Sequence, residues 1–160
     1  MLRRFVTPGR RARITLLALV VGLSCTLTAC RKPAPQITVY GAHKSIQVGA
    51  AFYIQSGGPK RNFLTDFGKA PSISVPQGTK LLVDVPRSVS VSWVVVAVTV
   101  SSDGASTPIP NVAPTEVLRD RHTVILAAAP ATTGDYYIQV AQLRGSVQAG
   151  GWIFHVNPTG

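Results

Sequence analysis

The sequence predicts an antiparallel all-β sandwich over residues 36–160, preceded by an N-terminal segment of different composition. Two observations carry the fold class. Short β-branched runs are punctuated by Gly, Pro, Asn and Asp, the spacing of an all-β domain. In addition, no long stretch repeats at 3.6 residues with caps at its ends.

Taken in order, Gln36 to Tyr40 alternates with Ile37 and Val39 on one face, the pattern of a half-buried strand. Ser45 to Ile54 is a less regular strand interrupted by Gly49. Residues 56–71, with Gly57-Gly58-Pro59 and Gly68, read as a long connection holding at most one edge strand. Ile73 and Val75 alternate before a turn at Gln77-Gly78, and Leu81, Val83 and Val85 line one face of a strand ended by Pro86. Val91 to Val100 is apolar at both parities and predicts a central strand buried on both faces. Asp103-Gly104 marks the turn after it. Val112 to Arg121 is the best helical stretch, limited by Pro114 to a turn or two. Thr123 to Ala128 and Tyr136 to Leu143 are strands, and Trp152, Phe154 and Val156 share a face of the last one. The Trp152–Phe154 stripe, and Tyr137 with Leu143, are expected to lie in the core.

Trp93 lies in the most apolar run, directly after the Leu81–Val85 strand, and Gly134-Asp135-Tyr136 precedes the strand that starts Tyr137-Ile138. That order resembles the immunoglobulin-like sandwich, with a core tryptophan on strand C and a corner tyrosine at the start of strand F. The resemblance makes Tyr136 the corner residue and puts Val83 and Ile138 where antibody domains carry their disulfide.

Residues 1–29 have the anatomy of a secretory signal. Arg3, Arg4, Arg10, Arg11 and Arg13 form a basic head, followed by a mostly apolar run from Ile14 to Leu27. That run is short of the roughly 20 residues needed to span a bilayer. It closes in Leu27-Thr28-Ala29-Cys30, which resembles the bacterial lipobox, so cleavage is expected between Ala29 and Cys30 with a diacylglycerol on the Cys30 thiol. Cys25 is a poorer match, because Leu23 and Ser24 stand in the wrong order before it. One acyl chain binds a membrane only marginally, whereas palmitate-length chains added in pairs hold it stably. Residues 30–35 then form the lipidated cysteine and a linker stiffened by Pro33 and Pro35, with Arg31 and Lys32 suited to an anionic leaflet. Arg3-Arg4 also resembles a twin-arginine export pair, but adjacent arginines are common in basic heads and the general secretory route is expected.

The whole chain carries sixteen basic and six acidic residues, a net +10. Five of the basic residues leave with the signal, so residues 30–160 hold eleven against six, or +5. The basic residues are scattered (Lys60-Arg61, and Arg119 with Arg121), so solvated surface charge is expected and no nucleic-acid partner. With Cys25 removed and Cys30 acylated, no thiol remains for a disulfide or a structural zinc site.

The residues offer little chemistry. His43, His122 and His155 are far apart, and the six acids are scattered, so neither a metal site, nor a cofactor, nor a glycosidase carboxylate pair is expected. No mature serine lies in a Gly-x-Ser-x-Gly elbow, and residues 56–60 lack the Lys-Ser/Thr end of a phosphate loop. Asp120 and His122, two apart, would share a face of a strand as orienting acid and base, the only hydrolytic pairing to weigh. Phe63 and Phe67 lie in the long connection, and because loops run over the surface they are the expected exposed pair for a partner.

The segments Ile73-Ser74-Val75-Pro76 with Gly78, Leu82-Val83-Asp84-Val85-Pro86, Ser92-Trp93-Val94-Val95 and Gly151-Trp152-Ile153-Phe154, with Ile37-Thr38-Val39-Tyr40 at the start, resemble a family of uncharacterised lipoproteins of mycolate-producing actinobacteria, a domain of unknown function. The resemblance covers most of residues 36–160 apart from 44–70, where relatives often carry cysteines and this chain has none. It implies a lipid-anchored location on the extracytoplasmic face of the cell membrane, and brings no catalytic residues. The expectation is therefore a non-enzymatic binding or accessory module of the cell envelope, held by the diacylglycerol on Cys30, whose partner is an envelope protein or a glycolipid. A carrier of a small apolar or lipid ligand, held between the sheets or under the 56–71 connection, is the alternative. A hydrolase is the remote one.

Overall fold

A computed structural model of the chain describes residues 32–55, 58–64, 66–128 and 133–160. The expected signal, with Ala29 and Cys30, lies outside the described residues. The compact unit runs from Ala34 to Gly160. Its strands are β1 (Ile37–Gly41), β2 (Lys44–Val48), β3 (Ala50–Ile54), β4 (Lys60–Asn62), β5 (Ser72–Pro76), β6 (Leu81–Asp84), β7 (Ser92–Val100), β8 (Ser106–Pro108), β9 (Leu118–Arg119), β10 (Thr123–Leu126), β11 (Tyr136–Arg144) and β12 (Val147–Thr159). A four-residue helix, α1 (Arg87–Ser90), joins β6 to β7, and Phe67–Lys69 forms one 3-10 turn.

The strands make two packed sheets. One has the order β10-β6-β1-β2; the other runs β4-β3-β12-β11-β7-β8, with β5 added to β12 and β9 to β7. All ladders are antiparallel except β5 on β12, where Val156 stands opposite Ile73. Within this all-β sandwich β7, β11 and β12 occupy the C, F and G places of the immunoglobulin-like order, and β6 with β10 the B and E places.

Alternation builds the core. Ile37 and Val39 of β1, Leu81 and Val83 of β6, Trp93, Val95 and Ala97 of β7, Ile138 and Val140 of β11, and Trp152, Phe154 and Val156 of β12 all point inward and are buried in a single cluster. Val83 and Ile138, at the positions matching the antibody disulfide, and Trp93 on the C-like strand are all fully buried. Tyr136 opens β11 and is buried as well. Each tryptophan keeps its indole N–H satisfied, as a buried indole requires. Trp93 Nε1 donates to the Arg121 carbonyl at 2.8 Å, and Trp152 Nε1 donates to the Pro35 carbonyl at 2.8 Å. The second bond fastens the first residues of the compact unit to the closing strand.

Several local expectations change. The expected irregular strand over 45–54 is two strands in different sheets: β2 pairs with β1, β3 with β12, and the chain crosses between sheets at Gly49. A strand that switches sheets must bend, and an interrupting glycine allows it. The run Val91–Val100 is fully buried on one face and only in part on the other, where Val98 is buried, Val94 is half-buried and Val96 is 38 % exposed. That outer face is partly roofed by residues 108–115, which explains its apolar composition. Val112–Arg121 forms no helix, only bends leading into β9. The one-turn α1, which buries Val89 and Ser90, is too short to leave a 3.6-residue signature. Tyr137 and Leu143, expected in the core, are half-buried on the outer side of β11, at the opposite parity to Ile138 and Val140.

Candidate functional site

The outer face of the four-stranded sheet follows from the same alternation. With Ile37, Val39 and Gly41 of β1 turned inward, Thr38 and Tyr40 turn out; with Leu81 and Val83 of β6 inward, Leu82 and Asp84 turn out. On β10, Leu126 is buried and Thr123 and Ile125 are exposed. Register then sorts these outward residues into rows. Tyr40 stands opposite Leu82, and Leu82 opposite Ile125, giving an apolar row across three strands. Thr38, Asp84 and Thr123 form the next row, which is polar. Ile125 is 64 % exposed and Tyr40 43 %, with the half-buried Leu82 between them.

The apolar row is the floor of an open groove of about 470 Å³. Its rim is the β1–β2 hairpin, Ala42 to Ser45, together with Lys80 just ahead of β6. Lys80 supplies positive charge there, His43 stands between the strands at the tip, and among the described residues no carboxylate lines the groove; Lys44 stands opposite inward-facing Gly41, so its side chain leaves this face. Lys44 Nζ lies 3.4 Å from the Ser74 carbonyl, a contact that ties the rim loosely to β5. The hairpin loop has two residues, Ala42 (φ 47°) and His43 (φ 64°), both in the left-handed region. A two-residue loop on twisted strands wants that conformation at both positions, and usually takes it with Asn-Gly or Asp-Gly. Here two residues with a Cβ hold it, at a conformational cost.

A second cleft of about 370 Å³ lies on the outer face of β7, between Val94 and Val96 and the covering residues Ile109, Pro110, Ala113 and Pro114. No charged side chain lines it. Both clefts lie on outer faces of the sandwich, neither of them between the sheets nor under the 56–71 connection.

The residues singled out by sequence lie elsewhere. Phe63 is 54 % exposed, and its backbone N–H donates to the Ala51 carbonyl at 2.7 Å. Phe67 is half-buried instead, edge-on to the Tyr137 ring at 5.6 Å, so it is held to the sheet and makes no exposed pair with Phe63. Tyr137 in turn stacks on His155 at 4.7 Å, and His155 Nε2 lies 3.6 Å from the Asp135 carboxylate. This ladder pins the 66–70 segment against β11 and β12. Asp120 and His122 sit between β9 and β10 rather than on a strand, and Asp120 has φ 52°, so the alternation that would put them on one face does not apply. Both are exposed, and the His122 ring nitrogen nearest a partner is 3.4 Å from the Val85 carbonyl. Among the described residues no three His, Cys, Asp or Glu side chains converge as metal ligands would.

Fold and surface together define an all-β sandwich with an apolar, basic-rimmed groove on its smaller sheet. Compared with known proteins, the chain matches no family model, no curated protein and no solved structure.

Proposed function

We propose that this protein is a lipid-anchored module on the extracytoplasmic face of the cell membrane, binding a partner in the envelope rather than catalysing a reaction. The signal-like residues 1–29, the lipobox-like Leu27–Cys30 and the resemblance to actinobacterial lipoproteins support the anchor. The observation that carries the binding role is the row Tyr40–Leu82–Ile125. It leaves Tyr40 and Ile125 exposed, with half-buried Leu82 between them, on a sheet face whose inner side is buried in the core. Exposed apolar patches of that kind mark surfaces that meet something else. Among the described residues no helix is long and apolar enough to cross a membrane.

Mass spectrometry of the native protein tests the anchor: the expected N-terminal peptide begins at Cys30 and carries a diacylglycerol, and an unmodified thiol or a retained leader overturns it. Photo-crosslinking from position 125 in intact envelope tests the binding role. The expected result is a reproducible adduct absent when the crosslinker sits at the exposed Val147; equal labelling from both positions overturns it.

The carrier reading gains from the uncharged cleft beneath residues 108–115, whose size falls within the small-molecule range. The hydrolase reading has less to stand on, because Asp120 and His122 share no strand face.

A further inference from the structure

We propose that the end of the sandwich carrying α1 and β9 lies against the anionic leaflet in which the Cys30 lipid sits, its arginines among the headgroups, so that the β1–β2 hairpin points away from the membrane. The inference rests on the lipid-anchored reading above and adds to it the orientation of the anchored domain.

Connectivity puts the tether at this end. Trp152 Nε1 donates to the Pro35 carbonyl at 2.8 Å, so the chain is fastened to the fold from Pro35 onward. β1 then runs antiparallel to β6 with Thr38 opposite Asp84, which brings the start of β1 to the place where β6 passes into α1. Pro35 is the fifth residue after Cys30, and five extended residues span at most about 18 Å. An acylated Cys30 therefore keeps this end of the domain within reach of the headgroup layer, whichever way the linker bends.

The residues exposed there suit that layer. Register gathers them from separate segments: Ser92 of β7 stands opposite Arg119, and Trp93 stands between Leu118 and Gln142. The Asp120 N–H donates to the Val91 carbonyl at 3.4 Å, and Gln142 Nε2 donates to the Ser88 carbonyl of α1. Arg87, Arg119, Arg121 and Arg144 are exposed around this edge, with Lys60 at the same end of β4. The acids among them are Glu116, 3.9 Å from Arg121, the exposed Asp120 and the half-buried Asp84, so cations are in excess. At the opposite end the exposed Lys44, Lys69 and Lys80 are matched by the exposed Asp66, Asp103 and Asp135. Val91, 63 % exposed, and Val117, 41 % exposed, stand among the arginines. Basic side chains interleaved with aliphatic ones are the combination that an anionic interface holds. The attraction fades within a Debye length, about 8 Å at physiological ionic strength, so it acts on groups that a tether already holds close. Tethering also makes the encounter intramolecular, and contacts too few to recruit a free domain suffice to orient an anchored one.

The test uses residues 30–160, which contain the whole compact unit, with the Cys30 thiol coupled to a maleimide phospholipid in vesicles. A fluorescent amino acid is placed at the exposed position 91 or, at the opposite end, at the exposed position 45. Phosphatidylcholine with a nitroxide on its headgroup is the quencher. In vesicles of phosphatidylcholine with about one third phosphatidylglycerol, quenching at position 91 should exceed that at 45 by at least about threefold. The excess should shrink by about twofold or more in phosphatidylcholine alone, and equally in the Arg87→Glu/Arg119→Glu/Arg144→Glu variant. Those three positions are exposed, so the unfolding midpoint of the variant should match that of the native chain, and the change of lipid makes the same test without a substitution. Equal quenching at the two positions in anionic vesicles, stronger quenching at 45, or an excess at 91 unmoved by the neutral lipid or by the charge reversal overturns the proposal. The coupling supplies the tether whether or not the native thiol is acylated. Failure here therefore leaves the anchored-module reading standing, and that reading falls only on the Cys30 peptide and the crosslinking.

Discussion

Single residues show how far alternation carries and where it stops. Ile37, Val39, Val83, Ile138 and Phe154 are buried as their parity requires. The groove residues Tyr40, Leu82 and Ile125 are visible in the sequence as apolar residues at the wrong parity, but only register makes them neighbours, and register is set by pairing across distant segments. The Ala42-His43 loop was not legible, since neither residue type signals a positive φ. Replacing the pair by Asn-Gly should stabilise the domain by about 1–2 kcal/mol, read as a raised denaturation midpoint at unchanged m-value. A lowered midpoint would mean that the loop is not strained. Tyr136 gives a pH dependence. Burial holds its phenol above the ordinary value near 10. The folded state therefore resists losing that proton while the unfolded chain gives it up freely. The stabilisation is complete below about pH 10 and is lost as pH rises from there through the folded value. Unfolding midpoints measured between pH 9 and 12 should fall in the native chain and fall less steeply in Tyr136→Phe. Parallel slopes would place the phenol in water.

At the scale of elements, the sequence located most strands and missed their divisions. In the sequence Gly49 looks like an interruption within one strand, yet it separates β2 from β3 and sends them to opposite sheets. Nothing local distinguishes a kink from a change of sheet, because the difference lies in which partner waits on the other side. The β7 run misled for a related reason: its outer valines are covered by residues 108–115 rather than by a second layer, and composition alone cannot tell those apart. The closing strand shows what an element demands of one position. β12 is flanked by β11 on one edge and by β3 and then β5 on the other, and the Phe52 ring lies directly over Gly151, where it stands opposite Phe52 in the ladder. A Cβ at Gly151 would collide with that ring. Gly151→Ala should therefore cost about 1–3 kcal/mol by overpacking. Adding Phe52→Leu should recover part of the loss in a double-mutant cycle. Strict additivity of the two changes would show that they do not meet.

The whole molecule was legible as a β-sandwich because its two sheets share one alternating core, and the groove was not, because it belongs to no segment and arises only when β1, β6 and β10 are assembled. That assembly also determines how the domain should come apart. The chain passes between the two sheets at Gly49, between β5 and β6, through α1, between β9 and β10 and between β10 and β11, and the sheets also share a core to which both tryptophans belong. Trp93 sits on β7 and reaches the Arg121 carbonyl ahead of β10, whereas Trp152 sits on β12 and reaches Pro35 ahead of β1. Each indole thus links a strand of the larger sheet to the approach to a strand of the smaller one. Neither sheet can leave without breaking both hydrogen bonds and exposing both rings, and burial of each ring contributes about 3–5 kcal/mol by the cost of truncating such residues. Unfolding should then be a single cooperative transition. Two single-tryptophan variants, Trp93→Phe and Trp152→Phe, allow each remaining indole to be followed by fluorescence in urea. Both should be less stable than the native chain, and in each the fluorescence midpoint should coincide with that of the far-ultraviolet circular dichroism. A tryptophan signal that moves at lower urea than the circular dichroism would mean that the sheets separate before they melt, and that the core joining them is weaker than its burial implies.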